Sequence, residues 1–130
     1  QIGLEDGPLD LTSWRGLAEG RKDQSPLYFF NACDIGRADT AANFVDGWGP
    51  AVLETGAIGF IGGLWPLFDR TASDFSRSFY ATLAADTKKG PVLVADALAA
   101  VRRRFHEVGD PTYLAYAYYG DVNLRLIVER

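Results

Sequence analysis

At 130 residues the chain has the length of one domain, and 48% hydrophobic with 13% aromatic content is enough for a real core. The net charge of -4 argues against a dedicated nucleic-acid binder, which needs a basic surface to meet phosphates, and the local cluster Arg102-Arg103-Arg104 does not change that. A single cysteine excludes an internal disulfide and points to a reducing, cytoplasmic compartment. No run is apolar and long enough to span a bilayer or to serve as a signal peptide.

The chain opens on Gln1 and contains no Met, so it is read as a piece of something longer. An alternation at Leu9-Asp10-Leu11 leads to Thr12-Ser13, both good N-cap types, and a short helix through Trp14 and Leu17 that stops at Gly20. After a polar connector, Leu27 to Ala32 forms an apolar, aromatic strand ending at Cys33. Residues 37–46 tolerate a helix, with Ala41, Phe44 and Val45 on one side. Pro50 starts a brief helix at the position proline favours, and Gly56 ends it.

From Ala57 to Trp65 the chain is apolar without alternation, the pattern of a strand buried on both faces of a parallel sheet. Its glycines (Gly59, Gly62 and Gly63) imply close approach of another backbone or a ligand. They lie inside the strand rather than in a turn opening a helix, so they make no dinucleotide site. Phe75, Phe79 and Leu83 then share one helical face, with Tyr80 beside them, before Lys88-Lys89-Gly90 ends the helix. Pro91 opens a second helix, along which Val94, Leu98, Val101, Phe105 and Val108 recur at helical spacing. Tyr113 to Tyr119 reads as a last strand, closed by Gly120-Asp121. The order of elements predicts an α/β fold with a mainly parallel sheet and helices on both faces.

Cys33 carries the most chemistry. A thiol at the C-terminal end of a parallel strand lies at the sheet edge where open α/β folds place reacting groups, which suggests a nucleophile. The same residue reads equally well as a small buried hydrophobe. No phosphate loop, metal cluster or Gly-x-Ser-x-Gly elbow is present, so neither a cofactor nor a metal is expected.

Several short segments together carry a resemblance. A strand ending in Asn31-Ala32-Cys33, a Gly-rich strand running into Leu64-Trp65-Pro66 and then Asp69, a helix with Phe79-Tyr80, and a closing Tyr119-Gly120-Asp121 resemble the CHAT family. CHAT domains are caspase-like modules, in the clan of caspases, separases and gingipains, often found beside tetratricopeptide repeats. The resemblance runs from about Leu4 to the end, making residues 1–130 the C-terminal portion of one such domain, with its N-terminal strands lying outside the chain.

The resemblance implies a cysteine endopeptidase that cleaves protein or peptide substrates with a Cys-His dyad. Cys33 matches the family nucleophile, and its backbone N–H would supply one oxyanion donor, the other coming from a glycine after the catalytic histidine. In caspases that histidine lies roughly 50 residues upstream of the cysteine, and only 32 residues precede Cys33 here. The family's His-Gly segment is therefore expected before Gln1, and the complementary N-terminal segment is the expected partner. This chain alone is expected to be inactive. His106, the one histidine, lies off the apolar stripe beside three arginines and reads as a solvated residue near a helix C-terminus.

Substrate contacts are also implied. The clan's residue two before the cysteine helps line the pocket for the residue preceding the cut, and here that residue is the neutral Asn31. Trp65 matches the region along which clan members lay substrate, with plain core packing as its alternative. Asp69 could face a basic side chain or serve as an N-cap. Asp34 and Asp39 are weaker candidates. The alternative function is a CHAT-like scaffold that has lost catalysis.

Overall fold

The apolar stretch at residues 57–65 becomes the middle of the principal sheet. In a computed structural model the described residues are 2–4, 7–20, 24–31, 48–65 and 67–127. Strand β4 (Gly59–Gly63) is buried at every position, and it lies between β3 (Leu27–Phe30) and β6 (Tyr116–Gly120). With a partner on each side and helices on each face, it has no use for the polar-apolar alternation of a half-solvated strand.

Alternation along its neighbours sorts their side chains between the two faces. On one face Ile61, Phe29 and Tyr116 meet helices α3 (Asp69–Asp86) and α4 (Val94–Glu107), whose Phe75, Phe79, Val94, Leu98 and Val101 are buried there. On the other face Phe60, Tyr28, Phe30 and Tyr119 pack with Trp14 and Ala18 of helix α1 (Leu11–Glu19) and with Val52 of the short helix α2 (Gly49–Glu54). Helices on both faces are thus present.

The sheet is mixed, not mainly parallel. β3 runs parallel to β4, with Phe30 opposite Gly62, but β6 runs antiparallel to it, with Tyr116 opposite Gly63 and Gly120 opposite Gly59. Two helices separate β4 from β6, so the chain traverses the sheet's length twice and re-enters at the edge it left. A backbone bond from Leu64 N to Ala115 O, 2.6 Å long, closes that edge.

Two smaller pairings, both antiparallel, complete the described strands: β1 (Ile2–Leu4) with β2 (Gly7–Leu9), and β5 (Val92–Leu93) with β7 (Arg125–Leu126). β5 corrects the expected start of the second long helix. Pro91 precedes this strand, and the helix begins only at Val94. Four further boundaries move. Asp10, not Thr12 or Ser13, caps α1 by accepting from Ser13 N at 2.7 Å. The aromatic strand stops at Phe30, and the Gly-rich one at Gly63, short of Trp65. Residues Pro111–Leu114 form a 3-10 turn, leaving the last strand to start at Tyr116. Val108 is 79% exposed, because α4 ends at Glu107 and the apolar stripe ends with it. The helix expected at residues 37–46 lies outside the described residues.

No helix among the described residues is long and apolar enough to cross a membrane.

Candidate functional site

The C-terminal ends of the two parallel strands, the start of β6 and the first turns of α3 converge at one edge of the sheet. Open α/β folds gather reacting groups at such an edge. Asn31 follows β3 directly and sits there with its residue exposed. Cys33 is two residues further along the sequence; it, Asp34 and Asp39 lie outside the described residues.

Asn31 is held from two sides. The Tyr116 hydroxyl donates to Asn31 Oδ1, and Asn31 Nδ2 donates to Ser76 Oγ at 3.3 Å. Ser76 in turn donates to the Ser73 carbonyl at 3.0 Å, within α3. Since the single Ser76 proton is already engaged, Ser76 can only accept from Asn31. That fixes which end of the carboxamide faces the helix and which faces Tyr116.

The Tyr116 ring is locked in turn. It stacks on Phe75 with centroids 4.1 Å apart and planes at 13°, and meets Phe29 at 5.5 Å. Its hydroxyl is therefore a rigid donor, aimed from a fully packed ring. Three elements far apart in sequence thus set the orientation of one amide.

The other sequence-predicted residues have more varied positions. Trp65 follows β4 at the same edge and is 40% exposed. Phe68, 87% exposed, takes the N-cap position of α3 with an extended backbone. Asp69 is accordingly the first helical residue and not the cap; its side chain lies outside what is described. Tyr80, beside Phe29 at 5.8 Å, has its phenol pKa raised by partial burial.

His106 is exposed in the last turn of α4, with its ring edge-on to Tyr113 at 4.9 Å. The packed rings of Tyr116 and Phe75 lie between Asn31 and Phe105 of that helix. The solvated reading of His106 therefore agrees with its placement.

Sequence reasoning missed Tyr116 and Ser76. A signal existed for the first, because a tyrosine in an apolar strand needs a partner for its hydroxyl. For Ser76 there was none, since its neighbourhood depends on where β3 ends. Among the described residues no group of three or more His, Cys, Asp or Glu is gathered to hold a metal ion.

The family model of the CHAT domain aligns with residues 2–115. Neither a curated protein nor a solved structure matches the chain.

Proposed function

This chain belongs to the CHAT domain family, and we propose that it serves peptide-bond hydrolysis, with Cys33 as the nucleophile. The observation that carries this reading is the placement of Asn31. It directly follows a parallel strand at the edge where α/β folds collect reacting groups, its side chain is held in one orientation, and the thiol is two residues away in sequence. The relation of CHAT domains to caspase-like proteases supports the same chemistry.

In this reading the Cys33 thiolate attacks the scissile carbonyl, forming the C–S bond as the carbonyl electrons move to oxygen. The Cys33 N–H is one donor to that oxyanion. Collapse expels the amine, which takes a proton from a histidine, and water then hydrolyses the thioester with the histidine as base. His106 does not suit that role, being exposed on the helix layer. The base and the second oxyanion donor are supplied by a complementary segment of the same domain beyond these 130 residues. Trp65 and Asp69 join Asn31 in lining the path of a protein or peptide substrate.

Peptide-library cleavage by the full protein, by Cys33→Ala and by His106→Ala tests this assignment. The expected result is cleavage that Cys33→Ala abolishes and His106→Ala leaves nearly unchanged. These 130 residues alone should show no turnover, because proton transfer contributes about 10²–10⁴-fold and an oxyanion donor about 10²–10³-fold where measured in another hydrolase. If His106→Ala were as damaging as Cys33→Ala with folding intact, the dyad assignment would be wrong. A folded, activated protein that cuts nothing would establish the scaffold reading instead.

A further inference from the structure

Strand β6 has β4 on one side only, and among the described residues no strand pairs with its outer edge. The bond from Leu64 N to Ala115 O marks those two residues as a hydrogen-bonded pair. Such pairs alternate along an antiparallel ladder. Ala117 and Tyr119 therefore also turn their backbone groups to β4, whereas Tyr118 and Gly120 turn theirs outward.

Helix α4 lies along this edge in the opposite sense to β6. Val94 N donates to Leu124 O beyond the strand's end, and the 3-10 turn Pro111–Leu114 returns the chain to the strand's start. On one flank of α4, Arg104 reaches Thr82 of α3 at 3.2 Å. The opposite flank carries Ala95, Leu98, Ala99 and Arg102, which with Tyr118 line a groove of about 340 Å³. The two alanines keep the groove wide. Arg102, at one end of it, has no ion pair among the described residues.

We propose that this edge binds an extended, acidic segment of another protein, which adds a strand to β6, lays an apolar side chain over Ala95 and Ala99, and sets a carboxylate against Arg102. Main-chain bonds to Tyr118 and Gly120 supply the grip, and the groove selects the side chains. From the midpoint of Ala95 and Ala99 to Arg102 is about five residues of helix, or roughly 7 Å, which two residues of a strand span. The recognised pattern is thus an apolar residue and an Asp or Glu two apart, on one face of the added strand. The same cation disfavours a second copy as the occupant. Antiparallel pairing of β6 with its own copy would bring two Arg102 groups to the same face of the joined sheet, like charge against like.

Binding of capped, fluorescently labelled peptides to the full protein tests this, with Thr-Val-Thr-Asp-Thr-Val and its Asp-to-Asn counterpart as probes. The Asp peptide should bind, and the Asn peptide should bind roughly two- to fivefold more weakly, the worth of a partly exposed ion pair. Arg102→Gln should remove the difference between the two peptides, and Arg103→Gln, at an exposed position, should leave it. Amide hydrogen exchange gives a readout that side-chain contact alone would not move: the Tyr118 N–H should slow when the Asp peptide is added. No binding of either peptide at millimolar concentration would overturn the inference. So would a preference untouched by Arg102→Gln, or a Tyr118 N–H that exchanges equally fast with saturating peptide. If raising the concentration of the protein alone slowed exchange at Tyr118 and produced a dimer in sedimentation, the edge would belong to a second copy and the acidic partner would be wrong.

Discussion

Where β4 pairs with β6, Gly59 and Gly120 face each other, and a methyl group on either would come within 2.9 Å of a neighbouring atom. A Cβ on Gly59 would meet Tyr118 Cε2 at 2.9 Å and Leu27 Cδ1 at 3.0 Å, both of them side-chain atoms that can shift. One on Gly120 would meet Gly59 Cα and Ile58 O, each at 2.9 Å, and both of those are backbone. Gly120 also sits at φ 148, a region that other residues avoid. Gly59→Ala should therefore cost about 1–3 kcal/mol, in the range of overpacked cores, and Gly120→Ala distinctly more; denaturant unfolding of the two variants gives the order. The close approach at Gly59 is thus by the side chains of Tyr118 and Leu27, not by the backbone or ligand expected from the strand's glycines. Asp10 provides a second residue-level expectation. Its carboxylate accepts from the Ser13 N–H, which lowers its pKa below the ordinary 3.8. The resulting stabilisation is fully present above 3.8 and is lost as the pH falls through the lowered folded value. Asp10→Ala should reduce Tm at neutral pH, and the gap to the unmodified protein should close on strong acidification. A gap that stays constant with pH would mean that the cap is not the cause.

Helix α3 was the most legible element, because Phe75, Phe79 and Leu83 repeat at the helical period and all three are buried. Adjacent positions on it make a sharp comparison. Phe79 is fully buried while Tyr80 is 56% exposed. Phe79→Ala should lose about 3–5 kcal/mol by opening a cavity, and Tyr80→Ala much less, since only its contacts with Phe29 and Phe79 are given up. Similar losses for both would contradict the packing described. What the sequence could not convey was the two-residue strand β5, whose pairing of Val92 with Leu126 depends on a segment more than thirty residues away. Propensity and periodicity are local signals, and two residues are too few to show a period. The sense of β6 was different, for it was available and unread. Two successive helices after a strand carry the chain down and back, so the next strand must enter antiparallel.

Across the whole molecule, β4 is the shared wall of two cores. Phe60 belongs to the aromatic cluster with Trp14 and Trp48, and Ile61, the next residue, to the cluster under α3 and α4. Neither face can melt while the other stays packed, so the protein should unfold in one transition. Circular dichroism and tryptophan emission should coincide, and Phe60→Ala and Ile61→Ala should shift that single transition together. Two resolved transitions would show that the layers are independent. The candidate site was half legible for a related reason. Asn31 could be named only through the resemblance to the CHAT family, and the partners that orient it only once the crossovers had brought positions 76 and 116 to the same edge.

Those sequence separations have a kinetic consequence. The Asn31 clamp closes loops of 45 and 85 residues, and the longer closure needs β6, the last strand of the principal sheet. Long closures lose more chain entropy and are favoured only after intervening elements have docked. The held orientation of Asn31 therefore comes at the end of folding. During refolding, protection of the Asn31 side chain should lag behind burial of Phe75 and Phe79, and it should be the first surrendered when the chain begins to open.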